Sequence, residues 1–177
     1  MATPLSHLAV PLALAVALGP DIVPPGLLAL ALICAVLPDI DALGLWLGIP
    51  YDHPFGHRGF THSLPFAATL AGAGMLLAPA LGAEPAFAFG VLLVSAASHG
   101  LIDALTNGGL GVALFSPFSF RRYFLPWRVI EVSPLHPAVL VSWRGLHVLR
   151  SELRWVWGPG LGVALAGLAL QALLGRF

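Results

Sequence analysis

The sequence predicts an all-α membrane protein, a polytopic bundle of about five helices with one further amphipathic helix at the bilayer surface. Three observations predict it. Of 177 residues, 58% are hydrophobic and only 9% charged, and a mean hydropathy of +0.91 leaves too little polar surface to clothe a water-soluble domain of this size. The apolar residues gather in runs near 8–18, 26–38, 64–81, 86–105 and 158–174, broken by turn-formers such as GPDIVPPG and LGAEP. The few polar residues are bunched rather than spread, most densely in GHRGFTHS at 56–63.

The opening stretch, MATPLSHLAVPLALAVALGP, has the apolar core of a secretory signal but no Lys or Arg before it, so it reads as a retained first helix. The first two runs fall short of the ~20 residues that cross hydrocarbon, so these helices are tilted, partly re-entrant or continued by their polar ends. The links between helices 1 and 2, and between 3 and 4, are short, which makes each pair an antiparallel hairpin. Residues 108–157 form a connection too polar to span. Its second half carries Arg144, His147, Ser151 and Arg154 on one helical face and Leu146, Leu149, Leu153 and Val156 on another. Such a stripe, followed by Trp155 and Trp157, fits a helix lying in the headgroup layer before helix 5. With no solenoid repeat and no low-complexity linker, residues 1–177 read as a single membrane domain.

Two hairpins have a geometric consequence. The start of helix 1, the end of helix 2, the start of helix 3 and the end of helix 4 must share one membrane face. His7 lies at the first of these, Asp39 and Asp41 of LPDID at the second, His57, Arg58 and His62 at the third, and His99 and Asp103 of SHGLIDALTNGG at the fourth. Only Asp21 and Glu84 fall in the opposite turns. Arg58, Arg121, Arg122, Arg128, Arg144, Arg150 and Arg154 lie on the polar face against Arg176 on the other, so that face is expected to be cytoplasmic. A formal charge of zero with no lysine gives no reason to expect a nucleic-acid partner. The single cysteine, Cys34, excludes an internal disulfide and lacks partners for a thiolate metal site.

His99 and Asp103, four apart on a helix, project from the same face and can grip one ion. Alone, the pair equally fits a helix hydrogen bond, the PDID aspartates fit a helix terminus and cap, and His7, His57 and His62 fit wetted loop residues. Together they are less easily set aside, because ionisable groups near hydrocarbon persist mainly where they pair, bind ions or line water. Neutral imidazole and carboxylate suit zinc, with manganese and iron also served. His7, His57, His62, His99, Asp39, Asp41 and Asp103 exceed the needs of one tetrahedral ion, so two divalent ions with one bridging aspartate are expected. Arg58 offers a planar fork that matches phosphate oxygens, or else an anchor beside lipid phosphates. Thr61 and Ser63 read as caps of helix 3. His53 is a further candidate ligand, and His136 and His147 read as interfacial.

At LPDIDALG, GHRGFTHS, SHGLIDALTNGG and FSPFSFRRYFLPWR the chain resembles the bacterial membrane-bound metal-dependent hydrolases, also described as LexA-binding inner-membrane-associated hydrolases. The resemblance runs in motif order over roughly residues 5–135, and its matching positions are His7, Asp39, Asp41, His57, Arg58, Thr61, His62, His99, Asp103 and Thr106. A more distant similarity is to zinc-dependent phospholipases C and related single-strand nucleases. There the later ligands, histidines with a glutamate four residues on, have no equivalent after Asp103. The resemblance implies a hydrolase of the inner membrane.

The expected activity is cleavage of a phosphoester in a lipid or lipid-linked substrate at the cytoplasmic face. Water activated by the ions would attack, one aspartate of the pair, Asp41 foremost, would take the proton, and Arg58 would neutralise charge on the phosphoryl oxygens. Two other classes stand beside it. A metal- or proton-coupled transporter would carry polar residues to the far side, and helices 3, 4 and 5 carry almost none. A non-catalytic membrane protein stabilised by its ion would have a closed coordination sphere.

Overall fold

The computed structural model describes residues 1–133 and 142–175. Among them are five apolar helices and no strand. Helix α1 spans Pro4–Leu18, with a break at Leu8 between Pro4–His7 and Ala9–Leu18. Helix α2 spans Pro25–Trp46, α3 Leu64–Met75, α4 Pro85–Ala104 and α5 Trp143–Leu173. Proline in the first turn starts α2, α3 and α4, where its missing N–H costs nothing. Side chains cap two of them: Ser63 accepts from the Phe66 N–H at 3.1 Å, and Glu84 from the Ala86 and Phe87 N–H groups at 3.0 and 2.7 Å.

Three of these helices, α2, α4 and α5, are long and apolar enough to cross a membrane. The lengths depart from the apolar runs in both directions. Helix α2 does not stop at the aspartates but passes through them as a 3-10 stretch, Leu37–Asp41, into Ala42–Trp46. Tightening the turn lets Pro38 sit where no long-range donor is required, and the run of 22 residues then suffices to span. Helix α3 ends early, because Pro79 starts a separate turn, Ala78–Leu81, closed by Gly82 at φ 72°.

The amphipathic segment and the last apolar run are one helix rather than two. Trp143–Glu152 continues through a wide π turn, Leu153–Trp157, into Gly158–Leu173. Pro159 explains the widening, since its ring cannot donate to the carbonyl one turn back. The leucine stripe also faces the other way from a packed core: Leu146, Leu149 and Leu153 are exposed, while Gly145, Val148, Glu152 and Val156 turn inward. An apolar face turned outward belongs against lipid.

The core is built from small side chains. Leu27, Ala31 and Cys34 of α2 meet Ala67 and Ala71 of α3 and Ala88, Leu92 and Ala96 of α4. Where α5 crosses α1, a side chain on Gly167 would fall 2.3 Å from the Ala17 Cα. Small residues let helices approach closely where lipid supplies no hydrophobic drive to associate. The connection after α4 folds back over the polar end, with isolated bridges between Thr106 and Ile130 and between Val112 and Tyr123.

Candidate metal centre

The 3-10 turn at the end of α2 sets the two aspartates apart. At three residues per turn, Asp39 and Asp41 point in different directions, and the His62 ring sits between them. Its Nδ1 lies 3.0 Å from Asp41 Oδ2 and its Nε2 lies 3.5 Å from Asp39 Oδ1. The loop carrying His57 and His62 is coiled too tightly for side chains at its glycines: a Cβ on Gly56 or Gly59 would fall 2.2 Å from the carbonyl oxygen of Pro50 or Pro54. Helix α4 brings His99 and Asp103 on one face, and Gly100 between them lets the His62 backbone approach.

Four donors converge on one point. His62 Nε2 and His99 Nε2 are 3.0 Å apart, Asp39 Oδ1 is 3.5 and 3.4 Å from them, and Asp103 Oδ2 is 3.5 Å from His62 Nε2. Bonds of ~2.0–2.1 Å to a tetrahedral zinc ion would hold its ligands about 3.3 Å apart, so this spacing fits an ion. His99 is also in the right tautomer. Its Nδ1 lies 2.7 Å from the Ala35 carbonyl oxygen, which can only accept, so Nδ1 carries a proton and Nε2 is the nitrogen the neutral ring offers an ion.

Satisfaction and charge give the same answer. Both oxygens of Asp39 and His57 Nε2 are buried without a hydrogen-bond partner, whereas buried polar atoms are normally paired. Three carboxylates share this interior with one guanidinium, that of Arg58, an imbalance that a divalent cation offsets. Burial by itself would keep the His62 ring neutral, but Asp103, Asp39 and Asp41 around it push its pKa well above the ordinary histidine range. The same carboxylates favour any cation at this point. A second four-donor group, Asp39, Asp41, His57 and His62, adjoins the first and shares two members with it.

Arg58 is fully buried, not a surface anchor. Its Nε lies 3.0 Å from Asp103 Oδ2, its Nη1 donates to the Gly108 carbonyl at 3.0 Å, and Nη2 has no partner. Its φ of 62° places a non-glycine residue in the left-handed region, at a cost of about 1–3 kcal/mol. The ion pair, together with its N–H donated to Asp41 Oδ2 at 3.2 Å, holds it there. His7 stacks face to face on His99 with ring centroids 3.6 Å apart, and its Nε2 is 3.9 Å from Asp103 Oδ1. Both its ring nitrogens lack partners, and it stands outside the two four-donor groups.

Other candidates lie elsewhere. His53 is exposed, packs on Phe55 and accepts from that residue's N–H. His147 is exposed on α5, and His136 and Arg176 lie outside the described residues. Thr61 is not a helix cap: its hydroxyl donates to Asp41 Oδ2 at 2.6 Å. Thr106 donates to the Asp103 carbonyl at 2.7 Å and tightens the end of α4. Two residues have structural roles that the motifs do not reveal. Arg122 donates to the carbonyls of His57 and Tyr51 at 3.0 and 2.8 Å, pinning the histidine loop. Glu152, buried on the inward stripe of α5, accepts from the Thr3 N–H and from the Thr3 and Ser6 hydroxyls, the latter two at 2.6 and 2.9 Å. Its signal was present as an acid spaced four residues from both Val148 and Val156.

Residues 1–175 match a family model described as YdjM inner membrane protein. The chain is 42% identical over 167 residues to inner membrane protein YbcI of Escherichia coli (strain K12), covering 91% of this chain and 94% of that protein. It is 38% identical over 98 residues to inner membrane protein YdjM of Escherichia coli (strain K12) and of Shigella flexneri, covering 51% of this chain and 49% of each relative. No solved structure matches.

Proposed function

The chain belongs to the YdjM family of inner membrane proteins, and on that premise we propose that it is a metal-dependent hydrolase cleaving a phosphoester of a lipid or lipid-linked substrate at the cytoplasmic face. The observation that carries this reading is the convergence of Asp39, His62, His99 and Asp103 from three separate segments on one buried point. These four would hold a first divalent ion, zinc foremost, and His57 with the second oxygen of Asp39 offers donors toward a second. An ion bound there supplies Lewis acidity and lowers the pKa of water toward ~7.

The chain's own residues would do the rest. An aspartate of the PDID pair takes the proton from the attacking water. Arg58, fixed by Asp103 and Gly108, turns its unpartnered Nη2 to a phosphoryl oxygen. The cytoplasmic orientation follows from the arginines, which crowd the polar end.

The test is elemental analysis of the purified chain together with a headgroup-release screen in which each divalent metal is added back. Bound metal and metal-dependent release are expected, and Asp39→Ala or Asp103→Ala should abolish both. A variant that retains both would end the proposal. One observation favours a second reading: His62, His99 and Asp103 are buried, as in a closed structural site that ties helix ends together without turnover. Bound metal with no release of any headgroup would select it.

A further inference from the structure

We propose that Asp41 is a positioning residue of the metal centre rather than one of its ligands: its single carboxylate fixes the tautomer and direction of both His57 and His62. The contrast with Asp39, two residues away on the same turn, carries the inference. Both Asp39 oxygens are buried with no hydrogen-bond donor. Asp41 is saturated. Its Oδ1 faces His57 Nδ1 at 2.7 Å, and its Oδ2 receives the Arg58 N–H at 3.2 Å, the Thr61 hydroxyl at 2.6 Å and faces His62 Nδ1 at 3.0 Å. An ionised carboxylate has about four acceptor sites on two oxygens, so three partners on Oδ2 leave it little to offer an ion.

Because a carboxylate can only accept, the His57 Nδ1 facing it must carry a proton; so must the His62 Nδ1, which also lies 3.2 Å from the Thr61 hydroxyl, whose own proton goes to Asp41, and Nε2 is then the nitrogen each neutral ring can offer an ion. Those are the nitrogens in question. His62 Nε2 belongs to the converging quartet, and His57 Nε2 is buried and unpartnered. Carboxylates behind metal-binding histidines act in this way, and losing one typically weakens metal affinity 10- to 100-fold. Here one carboxylate serves two rings, and Thr61 braces it. The residue pattern His57-Arg58-x-x-Thr61-His62 then reads as four consecutive claims on Asp41.

The inference rests on the metal-centre reading, and the experiment separates the two. Zinc affinity and zinc content of the full chain in detergent are measured by competition with a chromophoric chelator. Absence of zinc binding by the unaltered chain overturns the metal reading and this inference with it. Given binding, Asp41→Asn should keep the zinc content of the unaltered chain while losing about 10- to 100-fold in affinity, since a carboxamide cannot accept from both rings. Loss of zinc content in a folded Asp41→Asn chain would make Asp41 a ligand, and an affinity within twofold would make it idle. Either result overturns the inference. Nitrogen-15 histidine NMR of the zinc-loaded unaltered chain decides even if the variant does not fold. Protons on Nδ1 of both His57 and His62 are expected, and a proton on Nε2 of either ring overturns the assignment.

Discussion

At the scale of single residues, the centre depends on groups that have no chemistry of their own. Gly100 is the clearest, because a Cβ there would lie 2.2 Å from the His62 carbonyl oxygen, far inside contact. Gly100→Ala must push α4 away from the histidine loop, at a cost of about 1–3 kcal/mol, and should lower both thermal stability and metal affinity. Gly72, on the neighbouring helix with nothing within 4 Å of its would-be Cβ, is the control: Gly72→Ala should be neutral or stabilise by up to about 1 kcal/mol. Melting curves of the two variants, with and without zinc, compare the two directly. That His57, His62, His99, Asp39 and Asp103 lie together was legible from the sequence, since two antiparallel hairpins bring their segments to one face and helical spacing pairs His99 with Asp103. The division of labour among them was not. Whether Asp39 or Asp41 has free lone pairs, and whether Thr61 caps a helix or braces a carboxylate, depends on angles within a turn that spacing does not encode.

At the scale of elements, two of the points that tie α5 to the rest of the molecule can be tested. Glu152 accepts three hydrogen bonds from Thr3 and Ser6, and that segment in turn reaches the centre, where the Ala2 N–H donates to Asp103 Oδ1 at 2.7 Å. Glu152→Ala would strand three donors at about 1–3 kcal/mol each. We expect a marked fall in melting temperature and weaker metal retention, both milder in Glu152→Gln, which keeps one acceptor oxygen; equal behaviour of the two variants would exclude a hydrogen-bonding role. The second tie is the Gly167 crossing on Ala17. Gly167→Leu should detach the last helix from α1 without touching the polar cluster, so protease sensitivity of α5 should rise while zinc content holds. The existence and type of the helices were legible because apolar runs longer than a few turns leave little choice. Their ends were not: α2 runs through Pro38 and two aspartates because tertiary partners satisfy what the local sequence would leave exposed, and α3 stops short at Pro79.

At the scale of the whole molecule, the bundle gathers the carboxylates of Asp39, Asp41, Asp103 and Glu152 and one buried guanidinium at one end and, among the described residues, places only Asp21 and Glu84 at the other. A cation bound only by the folded chain stabilises it by RT ln(1 + [L]/Kd), about 2.7 kcal/mol at a hundredfold excess over Kd. Chelation should therefore lower the melting temperature, and adding back zinc should restore it; a melting temperature indifferent to both would remove the ion from the fold. This convergence was legible from topology alone, since two antiparallel hairpins leave four helix ends nowhere else to go. Helix α5 has a consequence of a different kind. Its 31 residues extend about 46 Å at 1.5 Å per residue, well beyond the ~30 Å of a hydrocarbon slab, with the Glu152 tie near the point where the excess begins. Thinner or thicker bilayers would change how that rod leans, and zinc retention in vesicles of graded acyl-chain length should track the membrane's depth.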